Sequence, residues 1–177
     1  MSIENTSKAL SNSDDSAARL LIDLLDGSPG RNFDVESIFS YKTAEGWGWL
    51  IFEFLKKDSE HLSVESSHPN RYWTKNKRKF LSLWALKRSL EAAGFESKLV
   101  LVNYDDARNT IKVMNVISMN IDATSKWVYD GHETKHINHI VTKDSVMSFL
   151  EFKARFKKFN NEKEGDSWEI IEYLSNR

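Results

Sequence analysis

Residues 34–57 read DVESIFSYKTAEGWGWLIFEFLKK, the most β-like part of the chain. Val35 to Thr43 and Trp47 to Leu55 are both rich in β-branched and aromatic residues, which favour extended backbone. Between them lies Ala44-Glu45-Gly46, a short link whose glycine tolerates a positive φ. The pattern predicts two antiparallel strands folded about residue 45. Opposed residues in such a pair have numbers of constant sum, here roughly 89–90. Glu36 is then expected opposite Glu53 or its neighbour, and Asp34 opposite Leu55 or Lys56. Facing carboxylates repel unless something offsets them, and a divalent cation does so. The plain alternative is a set of solvated acids at the strand ends, which discourage edge-to-edge aggregation.

Outward from the hairpin, residues 1–14 are polar and rich in Ser and Asn, and are expected to form a flexible tail. A helix follows, capped at Ser13, Asp14 or Asp15, with Ala17, Leu20, Leu21, Leu24 and Leu25 at helical spacing. Gly27-Ser28-Pro29-Gly30 ends it. After Lys57 a polar loop, DSEHLSVESSHPN, leads to a helix over about Arg71–Ala93, with Pro69 near its start, Asn70 as cap and Gly94 as stop. Lys98–Tyr104 (KLVLVNY) is nearly continuous apolar sequence, as in a strand covered on both faces. Asp105–Asn109 is a turn, and Thr110–Ile117 the next strand. A short strand is expected around Trp127-Val128-Tyr129. An amphipathic helix is expected over about Lys143–Phe159, with Val146, Phe149, Leu150, Phe152 and Phe156 as its apolar set. A short helix over Trp168–Leu174 ends the chain. The expected organisation is a tail (1–14), one α/β domain (15–160), and a linker with a short helix (161–177). The expected class is α/β (α+β): a central mixed sheet containing the hairpin, flanked by helices.

Composition narrows the function. The 177 residues suit one domain with a real core, and the formal net charge is only −1. Any contact with nucleic acid therefore rests on a local patch. The absence of cysteine excludes disulfides, thiolate metal sites and thiol nucleophiles. There is no signal-peptide pattern at the N-terminus and no apolar run near the roughly 18 residues of a membrane span, so a cytoplasmic protein without membrane contact is expected. Phosphate-loop, dinucleotide and nucleophile-elbow glycine motifs are missing from the sequence.

The strongest charge signal is HPNRYWTKNKRKFLSLWALKR. Between Ser66 and Leu90 there is no acid, while Arg71, Lys75, Lys77, Arg78, Lys79, Lys87 and Arg88 cluster there. Such cations attract phosphates by Coulomb forces and counterion release. Tyr72 and Trp73 are suited to stacking on bases. The plain alternative is a solvated basic face with its aromatics in the core.

The hairpin acids, the lysine that follows and the order of elements over residues 15–118 together resemble the PD-(D/E)XK nuclease superfamily, with its restriction-endonuclease-like core. The resemblance implies magnesium (or manganese) bound by Asp34 or Glu36 and by Glu53, with Glu36, Glu53 and Lys56 as catalytic residues. It further implies hydrolysis of DNA phosphodiester bonds, with Arg71, Lys75, Lys77, Arg78 and Lys79 on the nucleic acid, in a homodimer or with a partner protein. Two features depart from the family pattern: no proline precedes Asp34, and Lys56 stands one position late. Strand alternation then turns Lys56 away from Glu53 unless a bulge intervenes, and Lys75 or Lys79 is the substitute. A non-catalytic nucleic-acid-binding or assembly module is the alternative. A remoter one is a zinc hydrolase, since His132-Glu133-Thr134-Lys135-His136 matches H-E-x-x-H, with His139 or Glu151 as third ligand.

Overall fold

The computed structural model describes residues 37–44, 46–57, 61–123, 125–128, 133–136 and 138–161. All belong to one compact unit, Asp34–Arg177. The hairpin forms as its sequence predicts. Strand β1 (Ser37–Thr43) pairs antiparallel with β2 (Gly46–Lys56), with Ser37 opposite Phe52 and Thr43 opposite Gly46. Gly46 takes φ 141°, a value open to glycine but not to bulkier residues. The ring of Tyr41 lies over its register partner Gly48, which leaves no room there for a side chain.

From β2 the chain crosses over helix α1 (Trp73–Ala92) into β3 (Glu96–Tyr104), which lies parallel to β2. Gly94, at φ 86°, ends the helix as expected. The N-terminal side departs from expectation. Asn70 is not the cap: its amide exchanges two hydrogen bonds with the backbone of Ile140, at 2.8 and 3.1 Å. His68 caps instead, its Nδ1 accepting from the Asn70 N–H at 3.2 Å at the head of the 3-10 turn Pro69–Tyr72.

Strand β4 (Thr110–Met119) runs antiparallel to β3 across a turn in which the Asp105 carboxylate accepts from the Arg108 N–H at 2.9 Å. A small separate hairpin, β5 (Ser125–Val128) with β6 (Glu133–His136), leads to β7 (Ile140–Ser148) and helix α2 (Phe149–Asn161). The result is a mixed five-stranded sheet of order β1-β2-β3-β4-β7 with helices, an α+β fold. The helix expected over Lys143–Phe159 starts only at Phe149. Val141, Thr142 and Val146 form a strand because β4 has a free edge on which β7 pairs, and pairing outweighs a weak helical period. Expected elements at 15–26 and 168–174 lie outside the described residues. Among the described residues no helix is long and apolar enough to cross a membrane.

The sheet has a core on each face. On one side α1 packs Trp73, Phe80 and Leu83 against Ile51, Leu55, Leu99, Leu101, Met114 and Val116. On the other, α2 sets Phe152 and Phe156 among Phe39, Phe52 and Phe54, with Phe156 5.3 Å from both Phe39 and Phe52 by ring centroid. Strands β2 and β3 are covered twice, which explains their near-continuous apolar sequence. Strand period then fixes every remaining side chain: odd-numbered residues of β2 and β3 face α1, and even-numbered ones face α2.

Candidate functional site

That period puts Glu53 on the α1 face, and its side chain is 1 % exposed. A carboxylate in such a place requires a partner. The partner is Lys79, in the second turn of α1, whose Nζ lies 2.5 Å from Oε1. Lys79 itself is 30 % exposed, so the pair joins the interior to the surface. Lys56 has the opposite phase. It is exposed and binds Asp106 at 2.7 Å, and the hydrogen bond it donates to that carboxylate raises the pKa of the ammonium. No bulge re-aims it, since β2 and β3 stay in register from Gly48–Glu96 to Lys56–Tyr104. The fold thus brings Glu53 together with Lys79 and not with Lys56. Asp34 and Glu36 lie outside the described residues.

Beside Glu53 runs a row of polar groups that the sequence reading missed. Cross-strand partners share a face, and the pairs Glu53–Leu101, Asn103–Lys112 and Met114–Asp144 put Glu53, Asn103, Lys112 and Asp144 on the α1 side of four neighbouring strands. Lys112 is buried, and its three N–H donors are all engaged: by the carbonyls of Glu65 at 3.0 Å and Ser67 at 2.9 Å, and by Asp144 at 3.0 Å. Asn103 is fully buried, yet neither its amide oxygen nor its amide nitrogen makes a hydrogen bond among the described residues. A polar group left this way costs about 1–3 kcal/mol. The available signal was a lone amide in a strand that reads as apolar throughout.

The row ends in a directional chain. Because His68 Nδ1 accepts from Asn70, the ring proton is on Nε2, which donates to Thr142 Oγ1 at 3.0 Å. Thr142 in turn donates to Asp144 Oδ1 at 2.6 Å. Burial, and then the charge of Lys112, hold the His68 pKa below its ordinary value. For Asp144, burial works upward, but the hydrogen bonds from Thr142 and Lys112 outweigh it and the pKa is lowered.

The basic helix divides into two parts. Lys87 is buried against Trp84 and, like Arg88, is paired with Glu91. Lys75, Lys77 and Arg78 are exposed and pair with no carboxylate among the described residues; Arg71 is exposed as well. Lys75 and Arg78, three apart, share the outward face of the first two turns. Lys79 is the one member of the predicted nucleic-acid set that turns inward.

Glu53 and the orphaned amide of Asn103 offer oxygen donors of the kind magnesium takes. Of the set that the nuclease resemblance implies, Glu53 is the described member, the rest being Asp34 or Glu36; Asn103 is an addition to it. No group of three or more His, Asp or Glu side chains converges among the described residues. The H-E-x-x-H stretch does not form the helix that a zinc site of that type needs. Glu133–His136 is strand β6, because it pairs with β5, and His132 lies outside the described residues. His139 is buried, stacked on Trp73 at 4.3 Å with Nδ1 3.0 Å from the Asn120 carbonyl oxygen, and Glu151 pairs with Arg155. No family model, curated protein or solved structure matches the chain.

Proposed function

We propose that the chain is a divalent-metal-dependent nuclease acting on DNA. The observation that carries this reading is the Glu53–Lys79 pair: a buried carboxylate late in β2 with a lysine on the same face, supplied by the next helix. Glu53 holds the ion, with Asp34 or Glu36 as the expected second acid. When bound, magnesium supplies an activated water and neutralises charge on the scissile phosphate. Lys79, part exposed, orients that water and offsets the negative charge that develops on the phosphoryl oxygens. Lys75, Lys77 and Arg78 take the DNA backbone, which gives affinity and register but little sequence information.

A second reading, a nucleic-acid-binding module without catalysis, is favoured by those three exposed cations alone, since they serve binding whatever Glu53 does. A cleavage assay on supercoiled plasmid separates the two. Magnesium-dependent nicking that is lost in a folded Glu53→Ala variant supports the nuclease. Salt-sensitive DNA binding with no cleavage under any divalent ion leaves the binding module.

A further inference from the structure

We infer that Asn103 is a metal-holding residue of this site, its amide oxygen taking the divalent cation, directly or through one water, alongside Glu53. The inference rests on the metal-dependent reading above. Its starting point is Asn103 itself, fully buried with both amide atoms lacking a hydrogen bond among the described residues.

Its neighbours explain why the fold does not satisfy that amide. Lys112, directly opposite on β4, has all three donors engaged elsewhere. Leu55, directly opposite on β2, has an apolar side chain. Along β3 itself, the nearest residues sharing the α1 face are Leu101 and Leu99. Leucine has the same number of side-chain heavy atoms in the same branched arrangement and would leave nothing unsatisfied, so packing alone does not call for an amide at this position.

A cation does call for one. Magnesium and manganese take oxygen ligands, and a neutral carboxamide adds a ligand without adding a charge to a site that already holds a buried carboxylate. Asn103 is displaced by one strand and two residues from Glu53 on the same face, the diagonal neighbour position in the sheet. Its remaining N–H groups are then donors for a phosphate oxygen, which no carboxylate provides.

The test is a Mn2+ titration of the full-length protein, followed by the paramagnetic signal of the free ion. Thermal unfolding in chelator is measured on the same samples. Asn103→Leu is expected to weaken Mn2+ binding by about ten- to a hundredfold, while the metal-free protein melts no lower than wild type. Asn103→Asp is expected to bind Mn2+ more tightly. If Asn103→Leu binds Mn2+ as wild type does, the amide serves only a structural water and the inference falls, while the nuclease reading stands wherever the wild type still cleaves. A wild type that neither binds Mn2+ nor cleaves overturns both. Should Asn103→Leu fail to fold, Asn103→Asp decides: tighter binding supports the role, and unchanged binding overturns it.

Discussion

The ammonium of Lys79 lies 2.5 Å from Oε1 of Glu53, and it reaches that carboxylate from the helix after the strand rather than from the strand itself. Glu53 is fully buried, while Lys79 is 30 % exposed. Removing Lys79 alone therefore leaves a carboxylate in a low-dielectric interior. Lys79→Met is expected to destabilise the fold by about 3 kcal/mol in urea unfolding at neutral pH. The double variant Glu53→Leu/Lys79→Met is expected to recover to within about 1 kcal/mol of wild type, because neither charge of the pair remains. A Lys79→Met protein as stable as wild type would mean that the pair is solvated and exerts no such hold.

The His68 chain gives a pH dependence of definite sign. The folded ring is neutral and its pKa is depressed by burial and by Lys112. As pH falls below about 6.5 the unfolded chain takes the proton first, so stability drops from there until the folded ring's own lower pKa is passed. Protonation also places a hydrogen on Nδ1, against the Asn70 N–H that it caps. The lowered pKa of Asp144 has its effect in a separate window, with stability lost only below about pH 4. Melting temperature is expected to fall as pH drops below about 6.5 in wild type and to flatten there in His68→Asn, which retains a cap acceptor but not the titration. An unchanged slope in His68→Asn would assign the transition to another group.

Gly48 is required by its cross-strand partner. A Cβ at that position would come within 2.8 Å of the Tyr41 ring carbons Cε1 and Cε2, and the ring is itself held beneath the Lys98 ammonium, 5.2 Å from its centroid. Gly48→Ala is expected to lower stability by about 1–3 kcal/mol. Tyr41→Ala in the same chain is expected to make the glycine substitution nearly neutral, a coupling that a double-mutant cycle measures directly.

Much of this was legible in the sequence. The hairpin register followed from two β-rich runs and one glycine, and the phase of Lys56 followed from strand alternation alone. For the lysine that faces Glu53, the sequence offers Lys75 and Lys79 alike. That choice depends on how α1 rotates against the sheet, and its rotation is set by Phe80 and Leu83 packing on Leu99 and Leu101. Strand β7 reads as helix in the sequence because Val146, Phe149 and Leu150 fit a helical spacing, yet Val146 and Leu150 are exposed and only Phe149, Phe152 and Phe156 reach the core. The row of Asn103, Lys112 and Asp144 is assembled from three strands far apart in sequence, and only the pairing of those strands reveals it.

The exposed cations of α1 give a binding prediction that is independent of catalysis. Lys75→Ala, Lys77→Ala and Arg78→Ala are each expected to weaken DNA binding uniformly across sequences and to reduce the slope of log affinity against log salt by about 1. Each is expected to leave stability within about 0.5 kcal/mol of wild type, since none pairs with a described carboxylate. Lys87→Ala, by contrast, is expected to destabilise the helix while leaving the salt slope unchanged, because Lys87 is buried on Glu91 and Trp84.

In the proposed site the lysine is Lys79 and not Lys56. Magnesium-dependent DNA cleavage by Lys79→Met and Lys56→Met, both verified as folded and DNA-binding, tests it most directly. Cleavage is expected to vanish in Lys79→Met and to persist at the wild-type rate in Lys56→Met. Loss of cleavage in Lys56→Met with full cleavage in Lys79→Met would assign the role to Lys56 instead.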